Sequence, residues 1–291
     1  MSIDLFTRSR ARRSLVTRSL VTGVTVVAAL LMTACGSSDD SSGDAGSAPK
    51  VDNGLMTEGT LVVGMNLQFK PEMYLDNGQP AGYDVDLLNA LATSLGVKLD
   101  IKNLDFNGLI PGLQSKQFDL VSVGLTPNPE REKVIDFSRS YVPYSSILAV
   151  NSSYTGPETI DAFNTPATTI TALQGSSGET LAKTSFPKAK VQGLADQNAT
   201  LLQVRTGRAQ GAVLEDYILA QYLKTNAGTL REAKLAAPLS LSYGSWGVQK
   251  GNTTLKTKLD AFLCKAQSDG TLATLYQKDF GATLPAMPAG C

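Results

Sequence analysis

Histidine is absent from the 291 residues, which removes the commonest general base and the commonest metal ligand. Cysteine-rich segments and a Gly-Lys-Ser phosphate loop are absent too, so no metal and no cofactor are expected. Net charge is missing as well: 26 Lys and Arg balance 26 Asp and Glu. A neutral chain lacks the basic face that phosphate backbones require, which argues against a nucleic-acid partner. The apolar run near the N-terminus, Leu20 to Met32, is too short to cross a bilayer as a helix. Tandem repeats are absent. What is present is 42% apolar and 18% charged, the composition of a soluble globular chain with room for about two domains.

That apolar run follows a basic stretch with Arg8, Arg10, Arg12, Arg13 and Arg18, the order of an export signal. It ends in Leu31-Met32-Thr33-Ala34-Cys35, which resembles the lipobox of bacterial lipoproteins, although Met32 stands where Leu is usual. In those proteins the cysteine is diacylated and begins the mature chain. The alternative is an ordinary cleaved signal beside a chance cysteine. Arg12-Arg13-Ser14-Leu15 hints at a twin-arginine route. Residues 1–34 are therefore expected to be a lipoprotein signal peptide. Residues 35–54, rich in Ser, Gly, Asp and Ala, are expected to be a flexible tether. The body would then be extracytoplasmic and anchored to the cell membrane through Cys35. The leader carries five arginines against Asp4, which leaves the exported part at a formal −4.

The other cysteines, Cys264 and Cys291, would lie in a compartment that permits disulfides. A bridge between them contributes roughly 3 to 4 kcal/mol in the loop-entropy model. The alternative is a buried thiol at Cys264 and a frayed tail.

From Gly59 onward, strand and helix patterns alternate, which points to α/β layers. Residues 60–63 read as a buried strand. Residues 84–95 place Val85, Leu88, Leu91, Ala92 and Leu95 on one helical stripe, stopped by Gly96. A strand over 97–102, a short helix over 107–115 and a strand over 118–123 follow. A second set begins after Asn151, with strands over 167–173, 188–192 and 210–214. Helices open at Gly175-Ser176-Ser177-Gly178-Glu179, run over 197–206 and continue to Leu223. A strand over 241–248 and helices over 253–267 and 271–278 close the chain. The second unit reads as an insertion in the first: one lobe from 55–149 and 243–291, the other from 150–242. Two crossings would form a hinge, with the ligand cleft between the lobes.

The turn Gly124-Leu125-Thr126-Pro127-Asn128-Pro129-Glu130-Arg131 carries the most chemistry. Asn128 fits a helix N-cap and Pro129 the first helical position, where its missing N–H costs nothing. Arg131 then lies in the first helical turn and can reach back toward the strand end and the Thr126 hydroxyl. Its paired N–H donors match a carboxylate oxygen for oxygen. The bland alternative is a solvated arginine in the run Glu130-Arg131-Glu132-Lys133.

Gly82-Tyr83-Asp84-Val85-Asp86-Leu87, then Asp105 to Gln114, Phe118-Asp119-Leu120, Thr126 to Arg131, and Ile135-Asp136-Phe137-Ser138 with Tyr141 resemble, in order and spacing, the family 3 extracellular solute-binding proteins. These deliver polar amino acids to ABC importers. The resemblance runs from about Thr60 to Phe280. It implies a two-lobed, type II periplasmic-binding-protein-like α/β fold and an amino-acid ligand. It also implies ABC permease subunits as partners and a monomeric working form. Thr126 and Arg131 would hold the ligand α-carboxylate, Gly124 would offer a backbone carbonyl, and Phe69 and Phe106 would be apolar walls. For Phe106 simple core packing is the alternative. Ser176 and Ser177, at a helix N-terminus that favours anions, would close on the carboxylate from the other lobe, although Ser176 with Glu179 also reads as a capping box. The α-ammonium needs a carboxylate. Counting from Gly207 selects Glu215 and counting back from Tyr222 selects Asp216; Glu215 is preferred, the other acid capping the next helix. Asn66, Glu72, Leu173 and Leu214 align with polar or charged contacts of glutamine-binding relatives, and two of these four are apolar. A neutral or weakly polar ligand side chain is the expectation.

Two other classes compete. Some relatives of this fold are secreted cyclohexadienyl-type dehydratases, and a carboxylate-only mechanism needs no histidine. A ligand-sensing subunit of a receptor would require a separate signalling partner.

Overall fold

The computed structural model describes residues 52–289 and 291; the expected signal, Cys35 and nearly all of the tether lie outside the described residues. The chain opens with β1 (Thr60–Met65) and a small antiparallel sheet of β2 (Gln68–Phe69), β3 (Met73–Asp76) and β4 (Gln79–Ala81). Helix α1 (Tyr83–Leu95) and β5 (Lys98–Asn103) follow, then a 3-10 turn at Phe106–Gly108, α2 (Leu109–Gln114), β6 (Leu120–Leu125), α3 (Pro129–Glu132) and the long β7 (Ile135–Asn151). Next come α4 (Ile160–Phe163), β8 (Thr169–Leu173), α5 (Ser177–Ser185), β9 (Lys190–Leu194), α6 (Gln197–Arg205), β10 (Gly211–Glu215), α7 (Asp216–Leu223) and β11 (Leu230–Glu232). Strand β12 (Ser240–Gln249) and helices α8 (Thr253–Ser268) and α9 (Thr271–Phe280) complete the chain.

The main sheet has the order β5-β1-β6-β12-β7-β10-β8-β9. Two parallel groups, β5-β1-β6 and β10-β8-β9, flank the pair β12 and β7. Strand β12 is antiparallel to β6, β7 is antiparallel to β10, and the two are antiparallel to each other. The first part of β7, from Ile135, pairs with the end of β12, while Ser146 to Ala149 pair with β10. The register of β12 shifts between Gly244 and Gly247, and such irregularities bend a strand and re-aim its side chains. Two strands therefore carry the chain between the parallel groups. This is a mixed α/β fold in which everything between the two groups passes through β7 and β12.

Helix α1 buries Val85, Leu88, Leu91 and Ala92 as its periodicity requires, and its last turn is capped by Gly96. Gly82 precedes it at φ 110°, and a Cβ there would lie 2.5 Å from the Pro71 carbonyl and 2.6 Å from that of Glu72. Only glycine lets the hairpin come this close, and the Asp84 N–H donates to the Glu72 carbonyl at 2.9 Å. The strand expected over 118–123 begins instead at Leu120. Asp119 is a corner, its carboxylate accepting from the N–H groups of Met56 at 2.7 Å and Val62 at 2.9 Å.

The largest core packs Leu61, Val63, Met65, Tyr83, Phe118, Tyr141 and Trp246, all fully buried. A smaller one, with Leu148, Val150, Phe163, Ile170, Phe186 and Val213, lies on one face of the β7-β10-β8 group. The opposite face of that group, with Ala149, Ala212 and Leu214, belongs to the larger core. Covered on both sides, these strands are apolar at successive residues, as parallel sheets require. Cys264 on α8 is bonded to Cys291, which ties down the last residue of the chain.

Candidate functional site

At the end of β6 the chain turns as its sequence predicts. Asn128 caps α3, its side chain accepting from Arg131 N–H at 2.9 Å, and Pro129 takes the first helical position. Arg131 is thereby turned inward and is only 7% exposed. Its Nη1 donates to the Thr126 carbonyl at 2.9 Å, and its Nη2 reaches across to the Gly175 carbonyl at 3.0 Å. Burial lowers its pKa to about 10, opposed by the nearby Glu215. The guanidinium therefore remains cationic at neutral pH inside a largely apolar surround. That leaves it suited to an anion that it can approach without water.

Arg131 lines a cavity that takes in about 470 Å³ of space between atoms, part of it open to solvent. Phe69 and Phe106 form apolar walls, and the Arg131 guanidinium carbon lies 6.0 Å from the Phe106 ring centre. Gly124, at φ 55°, closes the β6 side. Its N–H donates to Tyr141 Oη at 3.1 Å, and a Cβ at this position would sit 1.5 Å from Tyr144 Oη. Glycine is required here by the tyrosine as much as by the backbone.

The opposite wall is made of helix starts. Ser176 and Ser177 line the cavity at the N-terminus of α5. Ser176 Oγ accepts from Glu179 N–H at 3.1 Å, and Glu179 Oε2 accepts from Gly175 N–H at 2.7 Å. The box reaches one residue further back than expected, and its cap does not remove the serines from the cavity. Glu215 ends β10 at the cap position of α7 and also lines the cavity. Burial raises its pKa, as does Asp216, while Arg131 lowers it. A buried cation and a half-buried carboxyl thus share one cavity, with aromatic and aliphatic surface around them.

Three residues expected at the site lie off the cavity wall. Thr126 contributes its carbonyl to Arg131, because the turn directs that oxygen, rather than the side chain, at the guanidinium. Asn66 is buried with both ends of its amide engaged, donating to the Leu104 carbonyl at 2.6 Å and accepting from Gln68 Nε2. Asp216 begins α7, accepts from the Tyr217 N–H at 2.6 Å and faces a separate surface groove. Tyr144, Tyr217, Gln197 and Ile218 line the cavity without having been singled out. The one sequence signal for Tyr144 is the missing side chain at Gly124, which its hydroxyl replaces.

Behind the β6 wall lies a buried polar chain. Asp84 is fully buried and accepts from Ser122 Oγ at 2.6 Å and Tyr141 Oη at 2.7 Å. Ser122 in turn accepts from Trp246 Nε1 at 2.9 Å. Burial raises the Asp84 pKa to about 7 against these two bonds. The Gly-Tyr-Asp motif thus acts at a distance, holding through Tyr141 the backbone N–H at the strand end.

Three comparisons bear on this arrangement. The sequence pattern of the bacterial extracellular solute-binding proteins, family 3, matches residues 61–282. The arginine-binding extracellular protein ArtP of Bacillus subtilis is 30% identical over 252 residues, 86% of this chain and 92% of that protein. Among solved structures, an ancestral arginine-binding protein bound to arginine superposes with a TM-score of 0.69 at 30% identity, covering 77% of this chain and 99% of that one. An ancestral amino acid-binding protein described as a precursor of cyclohexadienyl dehydratase superposes with a TM-score of 0.69 at 31% identity, covering 76% and 95%.

Proposed function

The chain belongs to the bacterial extracellular solute-binding proteins of family 3, and from that premise we propose that it captures a free amino acid between two lobes and presents it to the membrane subunits of an ABC importer. The observation that carries this reading is the pairing of Arg131 with Glu215 on one cavity. A zwitterion has one negative and one positive end, and the cavity offers one group for each. Arg131 takes the α-carboxylate, aided by the N-terminus of α5 with Ser176 and Ser177. Glu215 takes the α-ammonium, which restores the charge that burial disfavours. Phe69, Phe106 and Gly124 enclose the rest.

The lobes of this reading are 55–149 with 243–291, and 150–242, hinged through β7 and β12. Arg131 and Gly175 meet across that division, so closing the cleft and ordering the carboxylate site are one event. Outside the described residues, Cys35 is the proposed lipid attachment, the tether leaving the body free to reach its permease. A mass spectrum of the mature N-terminus tests this, an unmodified chain being the contrary result. Among the described residues no helix is long and apolar enough to cross a membrane.

Binding rather than catalysis is favoured because Arg131 and Glu215, the charged groups on the cavity, are those a zwitterion consumes. Replacement of Arg131 by Ala is expected to abolish amino-acid binding in calorimetry while circular dichroism stays unchanged. Wild-type affinity in a folded Arg131→Ala protein would overturn the assignment. The same samples, incubated with a cyclohexadienyl acid, test the dehydratase alternative by loss of the substrate.

A further inference from the structure

Glu72 follows the Lys70-Pro71 pair, at the start of β3, and is only 1% exposed. Its Oε1 accepts from Tyr144 Oη, and its Oε2 from Tyr217 Oη at 2.5 Å. The two rings stack with centres 6.1 Å apart, and both side chains line the cavity. The Cβ that Gly124 lacks would lie 2.8 Å from Glu72 Oε1. A carboxyl therefore sits directly behind the cavity wall, screened from the cavity by two hydroxyls. A hydroxyl that donates to a carboxylate keeps only lone pairs for other partners, and that bond makes its oxygen a better acceptor. This end of the cavity is built to accept hydrogen bonds.

Its charges are unequal as well. The groups facing Glu72 are Asp84 from α1, Glu215 from the end of β10, Tyr144 from β7 and Tyr217 from α7. Burial, Asp84 and Glu215 all raise the Glu72 pKa, while the two tyrosine bonds lower it. Arg131 is the cation among the residues on the cavity, against the half-buried Glu215 on its wall and the buried Glu72 and Asp84 behind it. A neutral zwitterion would use Arg131 and Glu215 and leave Glu72 and Asp84 with no positive charge. A second positive charge on the ligand, at the Tyr144 and Tyr217 end, offsets that excess.

We propose that the ligand is an amino acid with a cationic side chain, whose ammonium or guanidinium donates to the Tyr144 and Tyr217 hydroxyl oxygens with Glu72 as counter-ion behind them. The proposal rests on the amino-acid reading of the cavity and reverses the neutral side chain expected from Leu173 and Leu214. Glu72 joins the two walls through Tyr217 and so also makes closure depend on the ligand's charge.

Calorimetry of the purified protein with L-arginine, L-lysine, L-glutamine and L-glutamate tests this. Arginine or lysine is expected to bind tighter than glutamine by about tenfold or more, with glutamate weakest. In Glu72→Gln the cation-to-glutamine affinity ratio should narrow by about tenfold or more. Tyr217→Phe, which keeps the ring on α7 and removes its hydroxyl, should narrow the ratio in the same direction and serves if Glu72→Gln does not fold. Glutamine binding as tightly as both cations, or a ratio unchanged in the folded variants, overturns the proposal. If neutral amino acids bind and Arg131→Ala abolishes that binding, only this inference falls; if the wild type binds no amino acid, both readings fall.

Discussion

The two walls of the cavity are built by different means. The β6 wall is held from behind by bonds between residues far apart in sequence: Ser122 to Asp84, Tyr141 to Asp84, Trp246 to Ser122 and Gly124 to Tyr141. The opposite wall is held at α5 by caps that span a few residues, between Ser176 and Glu179 and between Glu179 and Gly175. The first wall is buried and its polar groups are fixed before any ligand arrives, as preorganised recognition demands. The second wall is half-exposed and its α5 turn is locally tied, with Tyr217 to Glu72 and Arg131 to Gly175 as its bonds to the first. In the proposed function, the first wall would read the α-carboxylate and the second would close over it.

The largest blow to the contrast is Trp246→Ala. Trp246 is fully buried, packs against Tyr141 with ring centres 5.1 Å apart and stacks on Phe262 at 6.2 Å. Its loss should cost about 3 to 5 kcal/mol of unfolding free energy, measured by urea denaturation. It also frees Ser122 from its donor, so amino-acid affinity should fall in the protein that remains folded. A loss below about 1 kcal/mol, the size of an ordinary surface change, would mean that the first wall is not a cooperative unit.

The same contrast explains which parts of the molecule were legible in the sequence. Helix α1, strand β1 and the cap of α3 are local facts: a periodic stripe, an apolar run, and Asn128 before Pro129. Ser176 with Glu179 is equally local, and so is Arg131 in its helical turn. The small sheet of β2, β3 and β4 and the whole of β7 went unread, the latter because Pro143 interrupts its pattern and its pairing partner, β12, lies about a hundred residues away. Tyr144 and Tyr217 escaped for the same reason, since nothing near either residue states that both meet Glu72. Thr126 and Asn66 show the converse. Their side chains suit a polar ligand by type, yet the fold employs the carbonyl of one and ties the amide of the other to its neighbours.

A second, intermediate effect separates the walls by pH. Asp84 has a pKa of about 7 in the folded chain because burial outweighs its bonds from Ser122 and Tyr141, against about 3.9 in an unfolded chain. The folded state holds this proton more tightly. Its contribution to stability is therefore complete below about pH 4 and is lost as pH rises through about 7. Asp84→Asn removes the titration, so the urea midpoint should fall less across that window than in the wild type, the remaining slope coming from Glu72 and other carboxyls. Parallel profiles for the two proteins would show that Asp84 carries no such linkage and that the buried chain behind β6 is electrically inert.

The smallest effect belongs to the second wall. Ser176→Ala removes the hydroxyl that accepts from Glu179 N–H, and loss of such a cap costs about 1 kcal/mol. Glu179 still accepts from Gly175 N–H, so the first turn of α5 keeps part of its closure and the loss stays local. Because the wall is held by neighbours in sequence, the change should lower the urea midpoint slightly and leave the pH profile parallel to that of the wild type. A penalty as large as that of Trp246→Ala would mean that the α5 turn is coupled to the distant core. The division into a prefixed wall and a closing one would then give way to a single rigid cavity, and ligand entry would have to proceed by another route than movement of α5 and α7.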